Sequence, residues 1–106
     1  MAKLADFFRR HEWITWFLAK DKEHKDVDVN SPAAVSFCIL GGAQAIYGDR
    51  TYQYEPVMKK LRETLEHKGV KLSCPSNDDT CIVVDWNNMV AKNKEEIIQL
   101  CEEAGV

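Results

Sequence analysis

Ser31-Pro32-Ala33-Ala34-Val35-Ser36-Phe37-Cys38-Ile39-Leu40-Gly41-Gly42-Ala43-Gln44-Ala45-Ile46-Tyr47-Gly48 makes up most of the longest uncharged run in the chain. Its reading decides the fold. Ser31 suits an N-cap, and Pro32 suits the first helical position, where no amide hydrogen is needed. Gly48 suits the left-handed residue that follows a helix. The run therefore predicts a helix over about 32–47, apolar on nearly every face, and a helix of that kind belongs at the centre of a core. Gly41 and Gly42 each cost a helix roughly 1 kcal/mol relative to alanine. Close approach of a neighbouring helix is the simplest feature that would offset that cost.

Outward from this run the helical periodicity recurs. Leu4, Phe7, Phe8 and His11 fall on one stripe of an N-terminal amphipathic helix, with Lys3, Arg9 and Arg10 elsewhere. Trp13, Trp16 and Phe17 then add more large apolar surface than one helical face can hold, so a change of direction is expected near Trp13. Lys20 to Asn30 alternates charge without an apolar period and reads as an exposed loop, with Val27 and Val29 at strand spacing. Val57, Leu61 and Leu65 mark a further helix opening near Glu55-Pro56 and closing at Gly69. Asn93 with Glu96 has capping-box spacing ahead of Ile97, Leu100, Cys101 and Ala104, and Gly105 closes that last helix. Val70 to Cys74 and the β-branched run Cys81 to Asp85 flank the turn cluster Pro75-Ser-Asn-Asp. They predict a minor β-hairpin over about 70–74 and 81–85. The expected fold is thus mainly α: four helices packed around the central 32–47 helix, with that hairpin, as a single domain over 1–106.

The chain has 106 residues, at most one domain at about 150 residues per domain. Fourteen basic against seventeen acidic residues give a formal charge of −3, which argues against a nucleic-acid partner. Acid and base appear by Asp6, Arg9 and Arg10, so no signal-peptide core is present, and the apolar run falls short of the about 20 residues that span a bilayer. A cytoplasmic protein is expected. Without a secretory signal, free thiols are expected for Cys38, Cys74, Cys81 and Cys101, although Cys74 and Cys81 flank a turn and are placed to approach one another.

Chemistry-bearing motifs are sparse. Asp26, Asp28 and Asn30 open like an EF-hand loop, but Ser31 and Phe37 stand where the glycine and the bidentate glutamate belong. His11, His24 and His67 form no paired zinc spacing with each other or with cysteine. Cys38 and Cys101 lie among apolar residues, where a thiol is inert. No cofactor or metal is expected, and an enzyme is the less favoured reading. The unusual polar group is Asp85-Trp86-Asn87-Asn88. Its structural reading is a shaped loop feeding the last helix, and its functional reading is a ligand contact.

Taken in order, the helix ending in His11-x-Trp13, the run Ser31 to Ala43, Val84-Asp-Trp-Asn-Asn88 and Lys94-Glu-Glu-Ile-Ile98 resemble a small uncharacterised family found in actinobacteria and bacteriophages. Its members show Gly-Trp, Cys-Leu-x-Gly-Ala, and Trp-Asn-Asp before a capped C-terminal helix. Here Glu12 stands in place of the glycine, and Asn88 in place of the aspartate. A carboxylate chemistry at the latter position is therefore not available to this chain. The resemblance implies a small helical intracellular domain and carries no activity with it.

Two functional readings follow. The first is a small non-enzymatic binding or regulatory protein, such as a phage-encoded inhibitor of a host or defence protein acting in the host cytoplasm. It would meet a protein partner or a second copy of itself through Trp13 and Trp16. The alternative is a small-ligand or nucleotide site, with or without catalysis, around Trp86, Asn87 and Asn88 and the adjoining Asp85.

Overall fold

A computed structural model describes residues 3–70 and 78–106. Helix α1 (Lys3–Arg10) buries Leu4, Ala5, Phe7 and Phe8. It stops before Trp13 because the backbone turns into a sheet. His11 closes the turn: its Nδ1–H donates to the Phe7 carbonyl at 2.8 Å, and its ring stacks on Phe7 at 4.0 Å.

The sheet has three very short strands, β1 (Glu12–Trp13), β2 (Ala19–Lys20) and β3 (Ser36–Phe37), in the order β1-β3-β2. β3 runs parallel to β1 and antiparallel to β2, and both its residues are buried. The minor β element thus lies here and not at the expected hairpin. The ladder continues past the strands, with Ile14 N–H donating to the Phe37 carbonyl at 3.0 Å and Cys38 N–H to the Leu18 carbonyl at 3.3 Å.

This sheet overrides the expected start of the central helix. Ser31 and Pro32 occupy a turn, where Ser31 Oγ accepts from the Ala33 amide at 3.2 Å. Val35 to Phe37 is drawn into pairing from both sides. A β-branched and an aromatic residue fit a pleated centre better than a first helical turn. Helix α2 is therefore Ile39–Tyr47, with Cys38 as N-cap, its Sγ accepting from the Gly41 amide at 3.3 Å. It packs on α1, on α3 (Thr51–His67) and on α4 (Asp79–Asp85). Ile39, Gly41, Gly42 and Ala43 are buried, while Leu40 and Ala45 to Tyr47 are only partly so. The helix is apolar all round but not enclosed all round.

The glycine pair answers to two different neighbours. A Cβ on Gly42 would stand 2.8 Å from the Phe8 ring of α1, the helix approach expected. A Cβ on Gly41 would stand 1.9 Å from the Leu18 carbonyl oxygen, so that glycine serves the chain leading into β2.

α3 begins earlier than Glu55-Pro56. Gln53 Oε1 accepts from the Arg50 amide at 3.2 Å and starts the helix there, with Pro56 carried inside it. Residues 81–85 are helix and not strand: a short β-branched run does not by itself separate the two. Asp78 Oδ1 accepting from the Thr80 amide at 3.1 Å supplies the helix start. The other half of the expected hairpin, from residue 71 on, lies outside the described residues. α4 continues into a π-helical turn (Trp86–Val90), in which the Ala91 amide donates five residues back to the Trp86 carbonyl at 2.9 Å. Helix α5 (Lys94–Ala104) is as expected, with Asn93 Oδ1 accepting from the Glu96 amide at 3.0 Å and Gly105 at φ 74°. It packs on α1 and α3.

Cys38 and Cys101 are free and buried, as expected, whereas Cys81 is disulfide-bonded against the free-thiol expectation. Cys74 lies outside the described residues.

Candidate functional site

Asn87 is fully buried, and its amide gathers four partners from three parts of the chain. Oδ1 accepts from Trp13 Nε1–H at 2.7 Å and from the Ile39 amide at 3.0 Å. Nδ2 donates to Asn88 Oδ1 at 2.9 Å and, over a longer 3.4 Å, to the Ile14 carbonyl. A side-chain amide can accept two bonds and donate two, so Asn87 has no capacity left for a ligand. It also serves an orphan amide at the start of α2, one that a helix cannot satisfy from within.

Asn88 extends the network to the surface. Its Oδ1 also accepts from the Trp16 amide at 2.8 Å. Trp16 has φ 72°, a left-handed conformation that a bulky side chain rarely adopts. Strain of this kind, of order 1–3 kcal/mol, persists only where the surroundings over-determine it, and it clusters at functional sites. Here the bond from Asn88 is one such constraint. A π-helical turn, also frequent at functional sites, carries both asparagines.

The strained residue is exposed. Trp16 retains 65% of its surface, and Phe17 and Leu18 are also open, as are Met89 and Val90 of the π turn. Asn88 ties the π turn to the loop after β1. A cleft of about 420 Å3 opens beside it, lined by Trp13, Trp16, Phe17, Lys20 and His24 among others. The Lys20 ammonium sits 3.9 Å above the Phe17 ring, a cation–π contact on the cleft wall. His24 also has a positive φ, 64°.

Of the six residues singled out in the sequence, the structure joins Trp13, Trp16, Asn87 and Asn88 in one network. Trp86 is buried in the core, and Asp85 is half-buried at the end of α4, outside that network. Phe17 is legible in the sequence as a surplus apolar residue, whereas Leu18 is not. Lys20, His24, Met89 and Val90 carry no signal in the sequence that would have singled them out. A larger groove of about 730 Å3 between α3 and α5 is lined by mixed charges such as Lys60, Glu63, Glu66 and Glu103, without large apolar side chains.

Among the described residues, no three His, Cys, Asp or Glu side chains gather where a metal could sit. Asp28 Oδ1 accepts from the Asn30 amide at 2.9 Å and shapes its own turn. Burial pushes the Cys38 thiol up, against a smaller pull from the amides of Gly41 and Leu40. Burial likewise pushes Cys101 up to about 12. Neither is a poised nucleophile. No described helix is long and apolar enough to cross a membrane.

A family model described as a family of unknown function, DUF6197, matches residues 1–105. The chain belongs to DUF6197. The match covers all the elements above, so the network joining Trp13 to Asn87 lies within the DUF6197 domain. No curated protein and no solved structure matches the chain.

Proposed function

We propose that this DUF6197 chain is a non-enzymatic binding protein that meets a protein partner through the Trp16-Phe17-Leu18 loop. It would act as a regulator by occupying that partner's surface. One observation carries the reading: an exposed tryptophan in a strained conformation, whose amide is held by Asn88, itself bonded to the fully buried Asn87. Tryptophan anchors are enriched among the residues that dominate binding energy. An anchor fixed before binding forfeits less ordering entropy on contact. The alternative of a ligand site at Trp86, Asn87 and Asn88 is weaker, because the Asn87 amide spends its bonds internally and Trp86 packs in the core.

The test is co-purification of the tagged chain from its own host, compared with Trp16→Gly. Glycine keeps the backbone at φ 72° without strain and removes only the indole. A protein retained by the wild type and lost from an equally stable Trp16→Gly supports the proposal. Partners unaffected by that change, and by Phe17→Ala, would reject it.

A further inference from the structure

We infer that the partner presents an acidic peptide segment with a large apolar side chain, seated in the cleft between Trp13 and Trp16 with its carboxylates toward Lys20 and His24. This rests on the protein-binding reading and adds the chemistry of the partner.

Charge is the argument. The chain as a whole carries −3, yet no carboxylate is found among the described residues that line this cleft, and Lys20 and His24 both do line it. Lys20 is held over Phe17 rather than in a salt bridge with a described residue, so its charge stays at the wall. Two of the acids nearby are engaged elsewhere. Asp21 Oδ1 accepts from the amides of Glu23 at 2.8 Å and Lys25 at 3.0 Å, folding it into its own turn. Those bonds, the Lys25 amide first, hold its carboxyl below the ordinary range, so it stays inside the turn as an anion. Glu23 pairs with Lys25 at 3.7 Å. Asp26, which bridges to Lys20 through the backbone, lines the neighbouring cleft of about 290 Å3, on the other side of the shared Trp16-Phe17 wall.

The walls supply the other half of the chemistry. Trp13 is fixed at its indole by its bond to Asn87, and Trp16 at its backbone amide by its bond to Asn88, so the cleft has an aromatic residue on each of two held segments. An apolar side chain between them would be desolvated beside a cation, which suits a residue flanked by Asp or Glu. A basic segment would meet Lys20 at the wall, and like-charge contact of that kind suppresses a wrong partner.

The experiment is a display selection of random short peptides on the intact chain, followed by anisotropy titration of the enriched peptides. Peptides combining Leu, Ile, Phe, Met or Trp with Asp or Glu should emerge. Their affinity should fall about tenfold or more with Trp16→Gly and with Lys20→Glu, less with Lys20→Gln and His24→Asn, and further as salt rises. Asn tolerates the positive φ at position 24, and melting curves of each variant separate lost binding from lost fold. Enriched peptides that need Trp16 but are basic or uncharged would overturn the inference and leave the protein-binding reading standing. Absence of any Trp16-dependent peptide would overturn both. So would tighter Trp16-dependent binding of an oligothymidylate, or a Trp16-dependent dimer seen by light scattering.

Discussion

Asn87 and Trp13, 74 residues apart in the chain, meet in a 2.7 Å hydrogen bond in which the indole N–H donates to the side-chain oxygen. That same oxygen accepts from the Ile39 amide. One atom therefore joins the strand after α1, the start of α2 and the π turn. Asn87→Ala should leave two donors orphaned, each costing about 1–3 kcal/mol. The sum is a large part of a typical stability of about 5–15 kcal/mol. Urea denaturation should show a loss of about 3 kcal/mol or more. An unchanged midpoint would mean that water replaces the amide and that the network is not structural.

The glycine pair should separate by what each touches. At Gly41 the intruding Cβ meets backbone, 1.9 Å from a carbonyl oxygen belonging to the chain entering β2, and only a shift of the sheet relieves it. At Gly42 the obstacle is the Phe8 ring at 2.8 Å, a side chain, though a fully buried one. Gly42→Ala should cost about 1–3 kcal/mol, and Gly41→Ala more than that. Thermal melts of the two single variants test the order. A milder Gly41→Ala would mean that the Leu18 segment yields easily.

Where local chemistry and tertiary contacts agree, the sequence reads correctly. Asn93 and Gly105 bracket α5 because each makes its own local bonds, and the Leu4–Phe8 stripe needs only one face of one helix. Where they disagree, the sequence misleads. Ser31-Pro32 carries a strong start signal, but Val35 and Phe37 have two strands waiting, at positions 12–13 and 19–20, that no local pattern announces. Cys38 is a poor capping residue by propensity and caps α2 all the same. Asn87 could be singled out as unusual from its neighbours. Its partners, at positions 13, 14 and 39, could not be, because they arrive only through the sheet.

Cys38 and Cys101 should resist thiol reagents in the folded protein. Both are buried, and both thiols are held above the ordinary range, Cys101 at about 12. At pH 8, peptide mapping after alkylation should find both unmodified in native protein and modified in guanidinium. The sign of the linked stability is fixed by the same shift. The folded state keeps a proton that the unfolded thiol, with a pKa of about 8.5, gives up, so stability is complete below that pH and falls as pH rises toward 12. Fast native labelling of Cys101 would show that α5 opens readily.

Trp16 offers a sharper test than a simple deletion. Its indole is 65% exposed, so little apolar burial is lost on removing it. What remains is the backbone at φ 72°, which alanine must still adopt and glycine adopts freely. The penalty for an L residue in this region is about 1–2 kcal/mol. Against it stands the greater freedom of glycine in the unfolded chain, worth about 0.4–1 kcal/mol. The difference favours glycine, so Trp16→Gly should be more stable than Trp16→Ala by up to about 1.6 kcal/mol, although glycine destabilises most positions. Asn88→Ala in the same series removes the acceptor at the Trp16 amide and frees the loop. Its effect should be seen as faster hydrogen exchange at the Trp16 amide, with the tryptophans left in place. Alanine matching or exceeding glycine at position 16 would mean that the loop relaxes out of the left-handed region once the indole is gone. The strain would then come from the side chain's contacts and not from the Asn88 bond.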